Sequence, residues 1–155
     1  MYNTFRDYHK LSYLDISNFK TSKVQKMNNL FQRCYELTSL DVSQFDTSEA
    51  TDISQMFAQC SKLKKIDVSK FDTRNVNFIG SMFQDCISVT SLDVSRFDTN
   101  NVIDMSYMFA GCSLLKKLDV SQFKTQNVKD MSFMFQYLSG VEVLDVSHFE
   151  TNNVV

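Results

Sequence analysis

The sequence contains no proline, no tryptophan and only three glycines among its 155 residues. Flexible linkers are usually rich in glycine or proline, and phosphate-binding loops are rich in glycine. A linker between domains and a Gly-rich phosphate loop are therefore not expected. No apolar run approaches the roughly 20 residues of a membrane span, and residues 1–10 lack the apolar core of a signal peptide. The net charge of −2 provides no field that would attract nucleic acid or insert the chain into a membrane.

Histidine is also scarce, since only His9 and His148 are present and most of the chain separates them. Neither histidine has a neighbour placed as a nucleophile, because Ser147 and His148 would point to opposite faces of a strand. Catalysis would require perturbed titratable groups gathered in a concave pocket. We therefore expect a protein without enzymatic activity.

What the chain does contain is a block of 26 residues that recurs without insertion or deletion. Such a period is typical of solenoid-like repeat architectures, in which a unit buries its apolar face only against its neighbours. Five columns of the repeat keep one residue type in most units. They are Leu14, Leu40, Ile66, Leu92, Leu118 and Leu144; Asp15, Asp41, Asp67, Asp93, Asp119 and Asp145; Phe19, Phe45, Phe71, Phe97, Phe123 and Phe149; Thr21, Thr47, Thr73, Thr99, Thr125 and Thr151; and Cys34, Cys60, Cys86 and Cys112.

Residues 1–155 are interpreted as a single domain that begins and ends inside a repeat. The units are a partial repeat 1–13, full repeats 14–39, 40–65, 66–91, 92–117 and 118–143, and a partial repeat 144–155. Neither end resembles the polar capping unit that such arrays need for solubility. We therefore expect a segment of a longer protein, or ends covered by a partner, which could be a second copy bound end to end.

Within one repeat, Leu92 and Val94 alternate with polar residues, which predicts a short parallel strand with these side chains inward. Val102 and Met105 indicate a second short extended segment. Ser106 is typical of a helix N-cap, so residues 107–111 are predicted to form a short helical turn. The predicted fold class is therefore an α/β repeat with one strand, one further extended segment and one helical turn in each unit.

Residues 92–112 read Leu-Asp-Val-Ser-x-Phe-Asp-Thr and then Asn-Val-x-Asp-Met-Ser-x-Met-Phe-x-x-Cys. This motif resembles the BspA-type leucine-rich repeat, which is also described as a Mycoplasma lipoprotein repeat of formerly unknown function. The resemblance covers essentially the whole chain and implies a right-handed, leucine-rich-repeat-like solenoid. It also implies a bacterial surface or secreted protein with an adhesive role, although no export signal or anchor is found in this sequence. It brings no catalytic residue.

The cysteine column continues as Tyr8 and Leu138, so we expect a packing position with free, buried thiols. A zinc site is not expected, because a row of sulfurs does not converge tetrahedrally. One turn carries a column of asparagines whose stacked amides are expected to bond to each other. They are Asn75, Asn101, Asn127 and Asn153.

The aspartate column should place carboxylates about 5 Å apart, a spacing at which like charges need neutralising. We expect the serine two residues further on, nearby backbone donors, and Lys65 or Lys117 to supply this neutralisation. The alternative is a row of Ca²⁺ ions, the one cofactor that these oxygens could bind. The chain lacks the Asp-x-Asp-x-Asp loop with glycine, so we expect no cofactor.

Two surfaces are predicted to contact a ligand. One is the predicted strand face, with Lys65, Lys117, Asp67, Asp93 and Asp119. The other comprises aromatic residues at positions where other repeats are mostly polar, although scattered exposed aromatics are also common. They are Tyr107, Phe133 and Tyr137 on the side of the predicted helical turn, and Phe78 is a further candidate contact.

The sequence favours a non-catalytic binding module that presents an extended surface to a protein or a glycan. The alternative is a structural spacer that holds another part of a larger surface protein away from the cell. We expect a location at the cell surface or in the medium from the family resemblance, and no nucleic-acid partner, since no aromatic residues are interleaved with the basic ones.

Overall fold

The computed structural model describes residues 1–155 and contains neither a helix nor a strand of more than one bridged residue. The repeats lie side by side, and isolated parallel bridges join residues 26 positions apart. The bridges are Lys26↔Asp52, Asp52↔Phe78, Phe78↔Asp104, Asp104↔Asp130 and Lys65↔Ser91. Helices long and apolar enough to cross a membrane are absent.

In the segment that was predicted to be helical, every second backbone N–H group bonds to the neighbouring repeat. The backbone N–H groups of Met105, Tyr107, Phe109 and Gly111 donate to carbonyls 25 residues further along the chain, at 2.8–3.0 Å. The intervening N–H groups close short turns, as that of Cys112 does with the carbonyl of Phe109. Each repeat is thus tied to the next by alternate residues, as neighbouring strands of a sheet would be.

The prediction of an α/β leucine-rich-repeat solenoid is therefore wrong. Tyr107 and Gly111 have φ angles of 55° and 73°, whereas an α-helix needs φ near −63°. Each full repeat has two such left-handed positions, four residues apart. They prevent a helix from forming, and alternate N–H groups of the segment bond to the neighbouring repeat instead. Residues Leu92–Val94 do not form a strand either, because a single bridge, Lys65↔Ser91, joins this part of the repeats.

The direction of the side chains in that segment was nevertheless predicted correctly. Leu92 and Val94 are buried, while Ser91, Asp93 and Ser95 are exposed. Extended backbone alternates its side chains between two sides even when no ladder of hydrogen bonds forms. The alternation therefore places aspartate and serine outside without a regular sheet.

A continuous cluster of 37 buried hydrophobic residues runs through the stacked repeats. Its centre is a row of four phenylalanines with no exposed surface, whose rings stack at 5.7–5.9 Å between centroids. They are Phe31, Phe57, Phe83 and Phe109. Each ring is packed against an identical ring from the next repeat, which confirms that these positions form the core.

Two polar columns fasten the turns of neighbouring repeats. The hydroxyl of buried Thr99 donates to the carbonyl of Lys124 at 3.0 Å and accepts from its N–H at 2.7 Å. The side-chain amide of Asn101 donates to the carbonyl of Arg74 at 2.8 Å. The expected bonds between stacked amides are not formed, because each asparagine satisfies a backbone carbonyl of the preceding repeat instead.

Candidate functional site

Two adjoining shallow grooves, of about 640 and 490 Å³, lie on the face formed by the Leu-Asp-Val-Ser segments. Lys65 and Asp67 line both grooves and thereby connect them. The second groove also gathers Asp93 and Lys117. Four of the five residues predicted on this face therefore meet in one groove, while Asp119 does not line either groove.

Ser91 was predicted to point outward on this face, but the alternation of residue pairs that shapes the grooves was not identified from the sequence. In four successive repeats, the pair of residues just before the Leu-Asp-Val-Ser-type segment alternates between hydroxyl residues and lysines, whereas the terminal units carry Ser12-Tyr13 and Glu142-Val143 there. The pairs are Thr38-Ser39, Lys64-Lys65, Thr90-Ser91 and Lys116-Lys117. The short pairs line the grooves and the lysine pairs flank them. Comparing the column across every second repeat would have revealed this alternation.

The aspartates of this face each accept a hydrogen bond from the serine two residues further on. In Asp93 the Oδ1 atom accepts from the Ser95 N–H at 3.1 Å and from its hydroxyl at 2.7 Å. The side-chain and backbone bonds from Ser95 hold the pKa of Asp93 below its usual value of 3.8. All six columnar aspartates share this backbone bond and the lowered pKa, so hydrogen bonds from serine stabilise the ionised carboxylates of the column.

Lysine contributes to this neutralisation at one position. The Nζ atom of Lys65 lies 3.4 Å from Oδ2 of Asp67, and both side chains are at least half exposed. Such exposed pairs contribute little to stability because water screens the attraction and both side chains lose freedom. Lys65 is therefore available to exchange this carboxylate for a ligand.

The predicted aromatic residues lie in three columns of the repeat. Tyr107 and Phe133 stack at 4.8 Å between ring centroids, and both occupy left-handed backbone positions. Tyr137 is exposed over 74% of its surface and is not in this stack. Phe78 is in a different column of the repeat, bridged to Asp52 and Asp104.

The column that ends in Tyr137 is polar in earlier repeats. There, Arg33 lies 3.4 Å from Asp7 and donates to Gln59 at 3.1 Å, and Gln59 donates in turn to Asp85 at 3.5 Å. These side chains satisfy each other along the outside of the stack. They are therefore less free to bind a ligand than the lysines of the grooves.

The cysteines are free and buried, as predicted. The thiol of Cys112 donates to the carbonyl of Phe83 at 3.1 Å, and that of Cys86 to Phe57 at 3.2 Å. Burial raises the pKa of Cys112 to about 12, so its reactive thiolate form is scarce at neutral pH. The column thus has a packing role.

No three histidine, cysteine, aspartate or glutamate side chains are gathered in a way that could hold a metal ion. His9 and His148 remain apart and each contacts a backbone carbonyl, of Arg33 and Val120 respectively. The arrangement that the structure does bring together is the grooved face, which combines ionised carboxylates, ammonium groups and hydroxyls.

Comparison with known proteins identifies one family. The family model described as Mycoplasma protein of unknown function, DUF285, matches residues 1–92 and again residues 81–155. No curated protein and no solved structure matches the chain. The two matches overlap and together extend over the whole sequence, in keeping with its repeated units. The chain is therefore a repeat protein and belongs to the DUF285 family.

Proposed function

We propose that this protein is a non-catalytic binding module that recognises a protein or a glycan through its grooved face. The observation that carries the proposal is the connection of the two grooves through Lys65 and Asp67. Ligand sites are usually concave surfaces that combine apolar lining with a few placed polar groups, and both grooves combine apolar side chains with lysine, aspartate and hydroxyl groups. Here the grooves extend across several repeats, so an extended ligand could contact each of them.

The chemistry of the grooves supports recognition better than bond making. The pKa values of Asp15, Asp41, Asp67 and Asp93 are all lowered, mainly by hydrogen bonds from serine. These carboxylates are ionised at neutral pH, whereas a general acid needs a pKa raised toward the working pH. They serve better as fixed hydrogen-bond acceptors.

A location at the cell surface or in the medium is part of the proposal. Its support is the resemblance of the motif in residues 92–112 to repeats of the BspA type, many of which belong to adhesive surface proteins. An adhesive role would use the same grooved face. Neither the location nor the role depends on the leucine-rich-repeat geometry, which this chain does not have.

A structural spacer is the second candidate function. One observation favours it: the same backbone positions bond to the neighbour in successive repeats, as at Phe31, Phe57, Phe83 and Phe109, with distances of 2.9–3.0 Å. Such uniform bonding would give a stiff rod. A spacer, however, needs no alternation of hydroxyl and lysine pairs on one face.

Binding of the purified chain to a panel of extracellular-matrix proteins and glycans would test the proposal, with and without calcium. We expect a saturable interaction that calcium does not change, because the Oδ1 atoms of the aspartates already accept serine donors. Lys65→Ser with Lys117→Ser should weaken it, and Phe133→Ser with Tyr137→Ser is the matched control. Absence of any saturable ligand, with the protein folded, would favour the spacer.

A further inference from the structure

Across four successive repeats, the grooved face alternates between two kinds of residue pair. Lysine pairs stand at 64–65 and 116–117, and hydroxyl pairs stand at 38–39 and 90–91. The second groove lies between Lys65 and Lys116-Lys117, with Thr90 and Ser91 between them. If neighbouring repeats are spaced like strands, these two walls are about 10 Å apart.

The charges that line the two grooves cancel. The lysines are Lys64, Lys65, Lys116 and Lys117, and the aspartates are Asp15, Asp41, Asp67 and Asp93, so the two grooves together are lined by four positive and four negative side chains. A polyanion would meet the carboxylates and a polycation would meet the lysines. A strongly charged ligand of either sign is therefore disfavoured.

The remaining lining is rich in hydroxyl groups, and the first groove also contains Tyr13, which is exposed over 68% of its surface. The carboxylates can accept hydrogen bonds from the hydroxyl groups of a ligand, and lysine and threonine can donate hydrogen bonds to the oxygens of the same groups. Bonds in which one partner is charged are stronger than bonds between neutral groups. A neutral ligand with many hydroxyl groups could therefore satisfy both kinds of side chain at once.

We infer that the two grooves bind neutral oligosaccharides, with sugar units seated over the hydroxyl pairs 38–39 and 90–91 and between the flanking long side chains. This inference rests on the proposed function and names its ligand class. An extended peptide that adds as a strand is a poorer fit, because this part of the repeats forms a single isolated bridge and no sheet edge with which a peptide backbone could pair.

Binding to immobilised oligosaccharides of glucose, galactose, mannose and N-acetylglucosamine would test the inference, with heparin and matrix proteins as comparison probes. The key variant is Thr90→Lys with Ser91→Lys, which fills the second groove with the residues that the neighbouring repeats carry at the same positions. Thr38→Lys with Ser39→Lys fills the first groove in the same way. Folding should be preserved, since Lys64-Lys65 and Lys116-Lys117 already occupy this column.

The matched control is Asn100→Lys with Gln126→Lys, which adds the same charge in a turn column where Arg74 already stands. We expect the groove-filling variants to lose about tenfold in affinity for a neutral oligosaccharide and the control to lose none. Equal binding by filled and control variants would overturn the inference but leave a binding module. Selective binding of heparin or of a matrix protein would do the same, whereas no binding to any probe would overturn the proposed function as well.

Discussion

Residue identity is more constant from repeat to repeat on the inward side of the stack than on the outward side. On the inward side, Phe57, Phe83 and Phe109 are the same residue, fully buried and stacked at 5.9 Å. On the outward side, the pair before the Leu-Asp-Val-Ser segment changes from Thr90-Ser91 to Lys116-Lys117 in the next repeat. A side chain that packs against its own copy must match it in shape, whereas one that faces water need not.

The aspartate column refines this comparison, because it is exposed and yet constant. Asp93 and Asp119 each accept the N–H of the serine two residues further on, which fixes the local turn. Constancy at an exposed position therefore marks a role in folding, and variation there marks freedom for recognition. By this criterion the lysine and hydroxyl pairs mark the proposed binding face better than the aspartates do.

The largest expected effect on stability follows from removing one buried phenylalanine ring. Phe83→Ala should lower the free energy of unfolding by about 3–5 kcal/mol, because it leaves a cavity between the rings of Phe57 and Phe109. Urea denaturation would measure this loss. Phe78→Ala, at a partly exposed ring, is the control and should change stability by less than about 1 kcal/mol. Similar losses for both would mean that the two sides do not differ as described.

A smaller effect is expected where a buried polar column joins two repeats. Thr99→Val should lower the free energy of unfolding by about 1–3 kcal/mol, because it leaves the N–H and carbonyl of Lys124 without their side-chain partner. Thr99→Ser keeps both bonds and should retain most of the stability. Thermal unfolding of the two variants would test this, and equal losses would show that the methyl group matters more than the hydroxyl.

The smallest effect concerns the exposed aspartates and depends on pH. Their pKa values are lower in the folded protein than in the unfolded chain, so the stability they add is present above the unfolded value near 3.8. It is lost as the pH falls through the lower folded values. Asp93→Asn should therefore weaken the dependence of the urea midpoint on pH in acid. An unchanged acid dependence would show that Asp93 does not contribute through its ionised form.

The sequence predicted the core and the thiols because the period alone determines which columns meet. Phe57, Phe83 and Phe109 repeat at the spacing of the stack, and Cys86 lies in the same apolar pattern. It could not predict the backbone of residues 107–111. The apolar spacing there fits a helical turn equally well, and it does not reveal whether an N–H bonds within the repeat or across to the next.

The candidate site was predicted in part. Lys65, Lys117, Asp67 and Asp93 were identified because charges recur in columns, and they meet in one groove. The groove itself depends on the short side chains between the lysines, and small polar residues give no signal when a single repeat is considered. The left-handed φ of 55° at Tyr107 was also beyond prediction, because aromatic residues rarely adopt it.

The lateral hydrogen bonds from alternate residues have a mechanical consequence. They hold each unit to its neighbour, while the turns within a unit are only three residues apart, as between Phe109 and Cys112. Force applied to the two ends would therefore peel one unit at a time and leave the rest intact. Each event would release 26 residues, or about 90 Å of extended chain. Under load, such a chain would lengthen in equal steps as successive repeats unfold.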